Sequence, residues 1–324
     1  MSQDHLCFTL TESFREASKG TMSRIHEALK KAAQDRAIQD TTGLTAGVRE
    51  IAGESRGPVT GPSDVGLPAI PPRIVTTGNQ VMPLRYEELA LRCKHLEWRL
   101  DPLNSVFQDS KIGRAASERF RTLRSRLYQI ASTRTLRRVL VTSSVPGEGK
   151  SFVTSNLAWS IVQQPDLRVL LIDADMRASQ LHTTLGAPNR PGLSDYLGGK
   201  ASEFEITQKG VDKNLFLIPG GSQVSNPSEL LLSEKLKQLL DRLTPIFDWI
   251  IIDSPPAMPV HDPSILADLT DGVLLVVRAG FTPVEIAEKT ATEFQSKNLL
   301  GVVLNQVEKA DSYGDYYGYH PAKN

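Results

Sequence analysis

The rhythm of apolar positions divides this chain. From Lys111 onward, short and nearly continuous apolar runs recur: RRVLVTSS (137–144), RVLLIDAD (168–175), NLFLIPGG (214–221), DWIIIDSPP (248–256), GVLLVVRAG (272–280) and LLGVVLNQV (299–307). A strand that is apolar at successive positions must be covered on both faces, and the stretches between these runs carry helical spacing. The pattern predicts a doubly wound α/β fold with a mostly parallel sheet over residues 111–308. Residues 1–80 are weakly patterned, and a Gly- and Pro-rich stretch from Gly43 to Pro72 reads as a linker. Inside that region Ile25, Ala28, Leu29, Ala32 and Ala33 recur at helical spacing, predicting a short amphipathic helix over 22–33. Residues 81–110 are a helical connecting segment without an evident role, with the helix expected around RYEELALRCKHLEW. Residues 309–324 show neither period and read as a tail.

Composition narrows the classes. The 324 residues carry no net charge, so no global field points to nucleic acid or to a membrane surface, and no nucleic-acid partner is expected. The longest apolar runs are strand-sized, well short of the ~20 residues of a membrane span. The opening MSQDHLCFTL lacks a basic segment followed by a long apolar core, and Met22 is an alternative start. Cys7 and Cys93 fit no metal or redox spacing, which suggests a reducing compartment. The expectation is a cytoplasmic protein.

The chemistry is concentrated where strands end. The first run enters VPGEGKS (145–151), and FVTSN then opens a helix. A strand, a glycine-rich turn and a helix beginning Gly-Lys-Ser form a phosphate cradle, or Walker A motif. Its nucleotide-binding stretch is Pro146, Gly147, Glu148, Gly149, Lys150, Ser151 and Phe152. Backbone N–H groups can wrap a polyphosphate, Lys150 can reach its β- and γ-phosphates, and the Ser151 hydroxyl can hold magnesium. Strictly, the pattern has glycine at position 144, where this chain has Ser144. LLIDADMR ends a strand with Asp173 and Asp175, and WIIIDSPP ends another with Asp253. In a parallel sheet these acids share one rim with the loop, and buried carboxylates there require a cation. Magnesium accepts one or two carboxylates plus phosphate and water, so ATP and Mg2+ are the expected ligands.

Together VPGEGKS, LLIDADMR, IIIDSPP, RPGLSDYLGG (190–199), NPSELLLSEKL (226–236) and ADLTDGVLLVVRAG (267–280) resemble the bacterial tyrosine kinases, which are P-loop enzymes. The resemblance implies an ATP-dependent tyrosine autokinase. It implies catalytic roles for Lys150, Asp173 and Asp175, with Asp173 as the base, and magnesium ligation by Ser151, Asp175 and Asp253 in Walker A, A′ and B positions. It also implies that the C-terminal cluster Tyr313, Tyr316, Tyr317 and Tyr319 is the acceptor. The family's Glu-x-x-Arg-x-x-Arg element, here Glu118, Arg121 and Arg124, implies a ring-shaped homo-oligomer. On a helix these three share an arc opposite the apolar stripe of Phe120, Leu123 and Leu127, so the charged arc is expected to stay exposed. A role in polysaccharide synthesis or export follows by the same resemblance. So do a membrane adaptor at the inner face of the membrane, for which the 22–33 helix is a candidate docking element, and a protein-tyrosine phosphatase. Two other readings compete, and the first shares this sheet. A ParA/MinD-type ATPase switch carries an extra lysine near the loop start, where this chain has Val145. A nucleotide-binding scaffold without kinase activity has no need of intact Lys150, Asp173 and Asp253.

Overall fold

A computed structural model describes residues 7–10, 84–99, 104–107, 111–210 and 214–307. The expected helix over 22–33, the Gly/Pro-rich linker and the tyrosine tail lie outside these residues. From the N-terminus the elements are β1 (Cys7–Leu10), α1 (Tyr86–Arg92), β2 (Lys94–Leu96), α2 (Lys111–Ala131), β3 (Arg138–Ser143), α3 (Lys150–Val162) and β4 (Val169–Asp173). There follow α4 (Leu181–Leu185), α5 (Leu193–Leu197), α6 (Glu203–Ile206), β5 (Gln208–Gly210), β6 (Leu215–Ile218), α7 (Pro227–Leu231) and α8 (Glu234–Leu243). The last are β7 (Trp249–Asp253), α9 (Asp262–Ala267), β8 (Gly272–Arg278), α10 (Val284–Gln295) and β9 (Leu299–Asn305).

Among the described residues the strands form one sheet in the order β1-β9-β8-β3-β7-β4-β6-β5-β2. The pairs from β9 through β6 are all parallel. The two antiparallel pairs, β1 with β9 and β5 with β6, flank them. Alternation along each strand sends side chains to opposite faces. Leu140, Leu170, Ile172, Ile250, Ile252 and Leu275 join the layer under α8, α9 and α10. Val139, Val141, Leu171, Ile251 and Leu274 join the layer under α2 and α3. Burial on both faces is why these runs are apolar at every position. No helix among the described residues is long and apolar enough to cross a membrane.

Three local expectations change. The helix expected across Arg85–Trp98 stops at Arg92: Cys93 is extended, and Lys94–Leu96 forms a strand parallel to β5. Pairing with a distant sheet edge overrides the local helical spacing there. The segment is also part of the main core, since Leu84, Leu89 and Cys93 are buried in it. Ahead of Met22, Cys7–Leu10 pairs with β9 and forms the opposite edge. Finally, the charged arc of α2 is only partly free. Glu118 and Arg121 are exposed and pair with each other. Arg124 instead bends toward α3 and donates from Nη1 to the Ser160 carbonyl at 2.6 Å, because its long stem can follow the helix seam inward.

Candidate active site

The loop from β3 to α3 owes its shape to two glycines. Gly147 and Gly149 have φ of +84° and +87°, the left-handed region where a side chain is strained. At Gly149 an added Cβ would also stand 2.1 Å from Asn305 Nδ2. The loop is braced from the ends of β8 and β9. The buried Glu148 carboxylate accepts from the Val145 N–H at 2.6 Å, the Arg278 N–H at 3.2 Å and the Thr282 hydroxyl. Asn305 Nδ2 donates to the Glu148 carbonyl at 2.9 Å. Burial pushes the Glu148 carboxyl up, against the pull of these hydrogen bonds.

Strand register delivers the acids. Asp173 and Asp253 are direct partners across the β4–β7 pair, so both leave the sheet at the same rim. Lys150 Nζ lies 3.0 Å from Asp175 Oδ2. Ser151 Oγ donates to Asp253 Oδ2 at 2.5 Å, and Thr154 Oγ1 donates to Asp253 Oδ1 at 3.3 Å. Asp173 Oδ1 accepts from the Asp175 N–H at 3.1 Å. Its Oδ2 accepts from Ser179 Oγ at 2.7 Å and from the Gln180 and Leu181 N–H groups, each at 3.1 Å. The structure thus brings Lys150, Ser151, Asp173, Asp175 and Asp253 into one cluster.

Its electrostatics are unbalanced. Burial drives the Asp253 and Asp173 carboxyls well above the usual carboxylate range, and the neighbouring carboxylates add to the shift while Lys150 opposes it. Burial alone would lower the Lys150 ammonium, but Asp253, Asp175 and Asp173 overcome it and hold the group above its ordinary value. Three carboxylates facing one ammonium leave negative charge in a low-dielectric site. The residues therefore fit a divalent cation beside a polyphosphate. No group of three or more His, Cys, Asp or Glu side chains forms a cage among the described residues. Magnesium takes few protein ligands and completes its shell with phosphate and water. Ser144 Oγ and Asn305 Oδ1, both beside the loop, are buried without a partner among the described residues.

Other expected residues fall elsewhere. The Phe152 ring packs edge-on against Phe120 of α2 at 6.0 Å, so its side chain faces the core. Glu118, Arg121 and Arg124 lie along α2, outside the cluster, and the four tail tyrosines are outside the described residues. Thr154, Ser179, Thr282 and Asn305 enter the site without having been expected. Thr154 lies one helical turn past Lys150, which is a usable signal, whereas the others come from contacts between separate elements. Beside the acids, Met176, Arg177, Gln223, Val224, Ser225 and Pro227 line an open cleft of about 420 Å³.

Comparison with known proteins places this arrangement. A family described as an AAA domain matches residues 137–295, from β3 through α10. The chain is 37% identical over 206 residues to the tyrosine-protein kinase YwqD of Bacillus subtilis (strain 168), covering 62% of this chain and 86% of that protein. It is 36% identical over 209 residues to the tyrosine-protein kinase wzc of Salmonella typhimurium, covering 63% of this chain but only 29% of that one. Among solved structures, the kinase domain of the Escherichia coli tyrosine kinase ETK is 33% identical and superposes with a TM-score of 0.58, over 63% of this chain and 81% of that domain.

Proposed function

The chain belongs to the bacterial tyrosine kinase family, and from that premise we propose that it is an autokinase acting on its own C-terminal tyrosines within an oligomer. It is a protein-tyrosine kinase, transferring phosphate from ATP to a tyrosine hydroxyl. The observation that carries the reading is the convergence of Lys150, Ser151, Asp173, Asp175 and Asp253 at one rim of the sheet.

Backbone N–H groups of the Gly147–Lys150 loop and the start of α3 bind the ATP phosphates, and Lys150 sets a positive charge against the transferring group. Ser151, Asp175 and Asp253 would hold magnesium, which when bound would neutralise phosphate charge and supply the cation that the carboxylates require. A free tyrosine hydroxyl titrates near pH 10, so about one in a thousand is ionised at neutral pH and a base is needed. Asp173 fills that role. Three donors crowd its Oδ2 but one backbone N–H occupies Oδ1, so Oδ1 retains a lone pair for the incoming proton. Burial raises its basicity above that of an ordinary carboxylate.

The acceptors are Tyr313, Tyr316, Tyr317 and Tyr319, spaced by Gly314 and Gly318. Glu118, Arg121 and Arg124 join copies so that one tail meets the neighbour's rim. By family resemblance the protein works in the cytoplasm, peripheral to the membrane through an adaptor of a polysaccharide export system, and a protein-tyrosine phosphatase resets it. The test mixes a Lys150→Met chain bearing the intact tail with a chain whose four tail tyrosines are phenylalanine, in ATP and Mg2+. Phosphotyrosine on the Lys150→Met tail is the expected result. Released phosphate with no phosphotyrosine on any chain would instead identify a nucleotide switch.

A further inference from the structure

The cleft lined by Met176, Arg177, Gln223, Val224, Ser225 and Pro227 includes no residue of the phosphate loop, and its one charged wall is half committed. Arg177 Nε donates to Asp262 Oδ2 at 2.8 Å, while Nη2 donates to Ser228 Oγ at 2.9 Å and reaches Asp262 Oδ1 at 3.4 Å. Ser228 Oγ in turn donates to Asp262 Oδ1 at 2.5 Å. Asp262 is 1% exposed, so its charge stays paired, and the guanidinium plane is fixed on that side. Arg177 itself is 39% exposed, and its Nη1 has no partner among the described residues. A guanidinium held in place with two N–H groups unused, at the mouth of a cleft with apolar Met176, Val224 and Pro227, suits a peptide that carries both an aromatic ring and a carboxylate.

We propose that Arg177 selects among acceptor tyrosines, favouring those with an acidic residue two positions away, so that the preferred acceptor is an extended Asp-x-Tyr or Tyr-x-Asp peptide. This rests on the reading of the tail as substrate. The spacing follows from chain geometry. Alternate residues of an extended peptide point to the same side about 6.6 Å apart. Asp175 of the catalytic cluster and Arg177 lie on the bent segment that follows β4, close enough that the Asp175 charge acts on the guanidinium. A tyrosine presented to the acids can thus bring an acidic second neighbour within reach of Arg177. The tail divides cleanly on this criterion. Tyr313 has Asp311 and Asp315 at that distance, and Tyr317 has Asp315. Tyr316 has only Gly314 and Gly318, and Tyr319 only Tyr317 and Pro321.

Time-resolved phosphosite mass spectrometry on the full chain, in ATP and Mg2+, tests this. Tyr313 and Tyr317 should be modified first. Asp315→Asn should slow Tyr317 about three- to ten-fold, the range of one charge-assisted hydrogen bond at a half-exposed site, while Tyr316 and Tyr319 serve as internal controls. Arg177→Gln should erase the difference between the two classes. Because Arg177 also neutralises Asp262, the Asp315→Asn chain, whose change lies outside the described fold, carries the decision if Arg177→Gln is misfolded. An unchanged Tyr317 rate in Asp315→Asn would overturn the inference and leave the tail reading standing. A tail unmodified even without substitutions would overturn that reading, and the inference with it.

Discussion

At the scale of single residues, one ammonium shared by three carboxylates decides how the site responds to protons. Burial and mutual repulsion raise Asp173 from 3.8 to about 6 and Asp253 from 3.8 to about 7. Folded-state values above the unfolded ones mean that the ligand-free fold binds protons more tightly than the unfolded chain. The stabilising contribution is complete below about pH 4 and is lost as pH rises through 6 to 7. The urea midpoint of the ligand-free protein should therefore drop between pH 5.5 and pH 8, and Asp253→Asn should flatten that drop. Equal slopes in the two proteins would contradict the account. The legibility of the site divides along the same physics. Lys150 and Ser151 were readable because a phosphate cradle needs contiguous residues, and the three aspartates because each ends an apolar run. Thr282 and Asn305, which brace Glu148, were not readable, since their roles arise only where β8 and β9 meet the loop.

At the scale of elements, β4 and β7 matter as a pair, because their register sets Asp173 beside Asp253. Helix α2 shows how a period becomes packing. Phe120, Leu123 and Leu127 are buried against the layer over β3, as their spacing predicted. Truncating Leu123 to Ala should destabilise the protein by about 2–5 kcal/mol in urea denaturation, the range for a fully buried leucine. A loss below about 1 kcal/mol would mean that α2 is not held by its stripe. The central strands were legible for the same reason, since burial on both faces writes a continuous apolar run. The edges were not. Lys94–Leu96 is short, mostly exposed and held by pairing with β5, and Cys7–Leu10 by pairing with β9, so the information for both lies far away in the chain. Arg124 misled for a related reason: helical spacing placed it on the charged arc, and the Ser160 carbonyl on a neighbouring helix draws it inward.

At the scale of the whole molecule, the tail's starting point bears on how it is used. It continues from Val307 just past β9, and in the sheet order four strand spacings separate β9 from β4. That is about 19 Å, which an extended chain covers in about six residues. Tyr313 is six residues past Val307 and Tyr319 twelve, so chain length alone does not exclude cis transfer under the proposed reading. The central claim, that this is a tyrosine autokinase whose tail is its substrate, is tested most directly by phosphosite mass spectrometry after incubation with ATP and Mg2+, beside a Lys150→Met control. The account predicts phosphate on Tyr313, Tyr316, Tyr317 or Tyr319 that is absent from the control. A clean tail on a protein that binds and turns over ATP would contradict it.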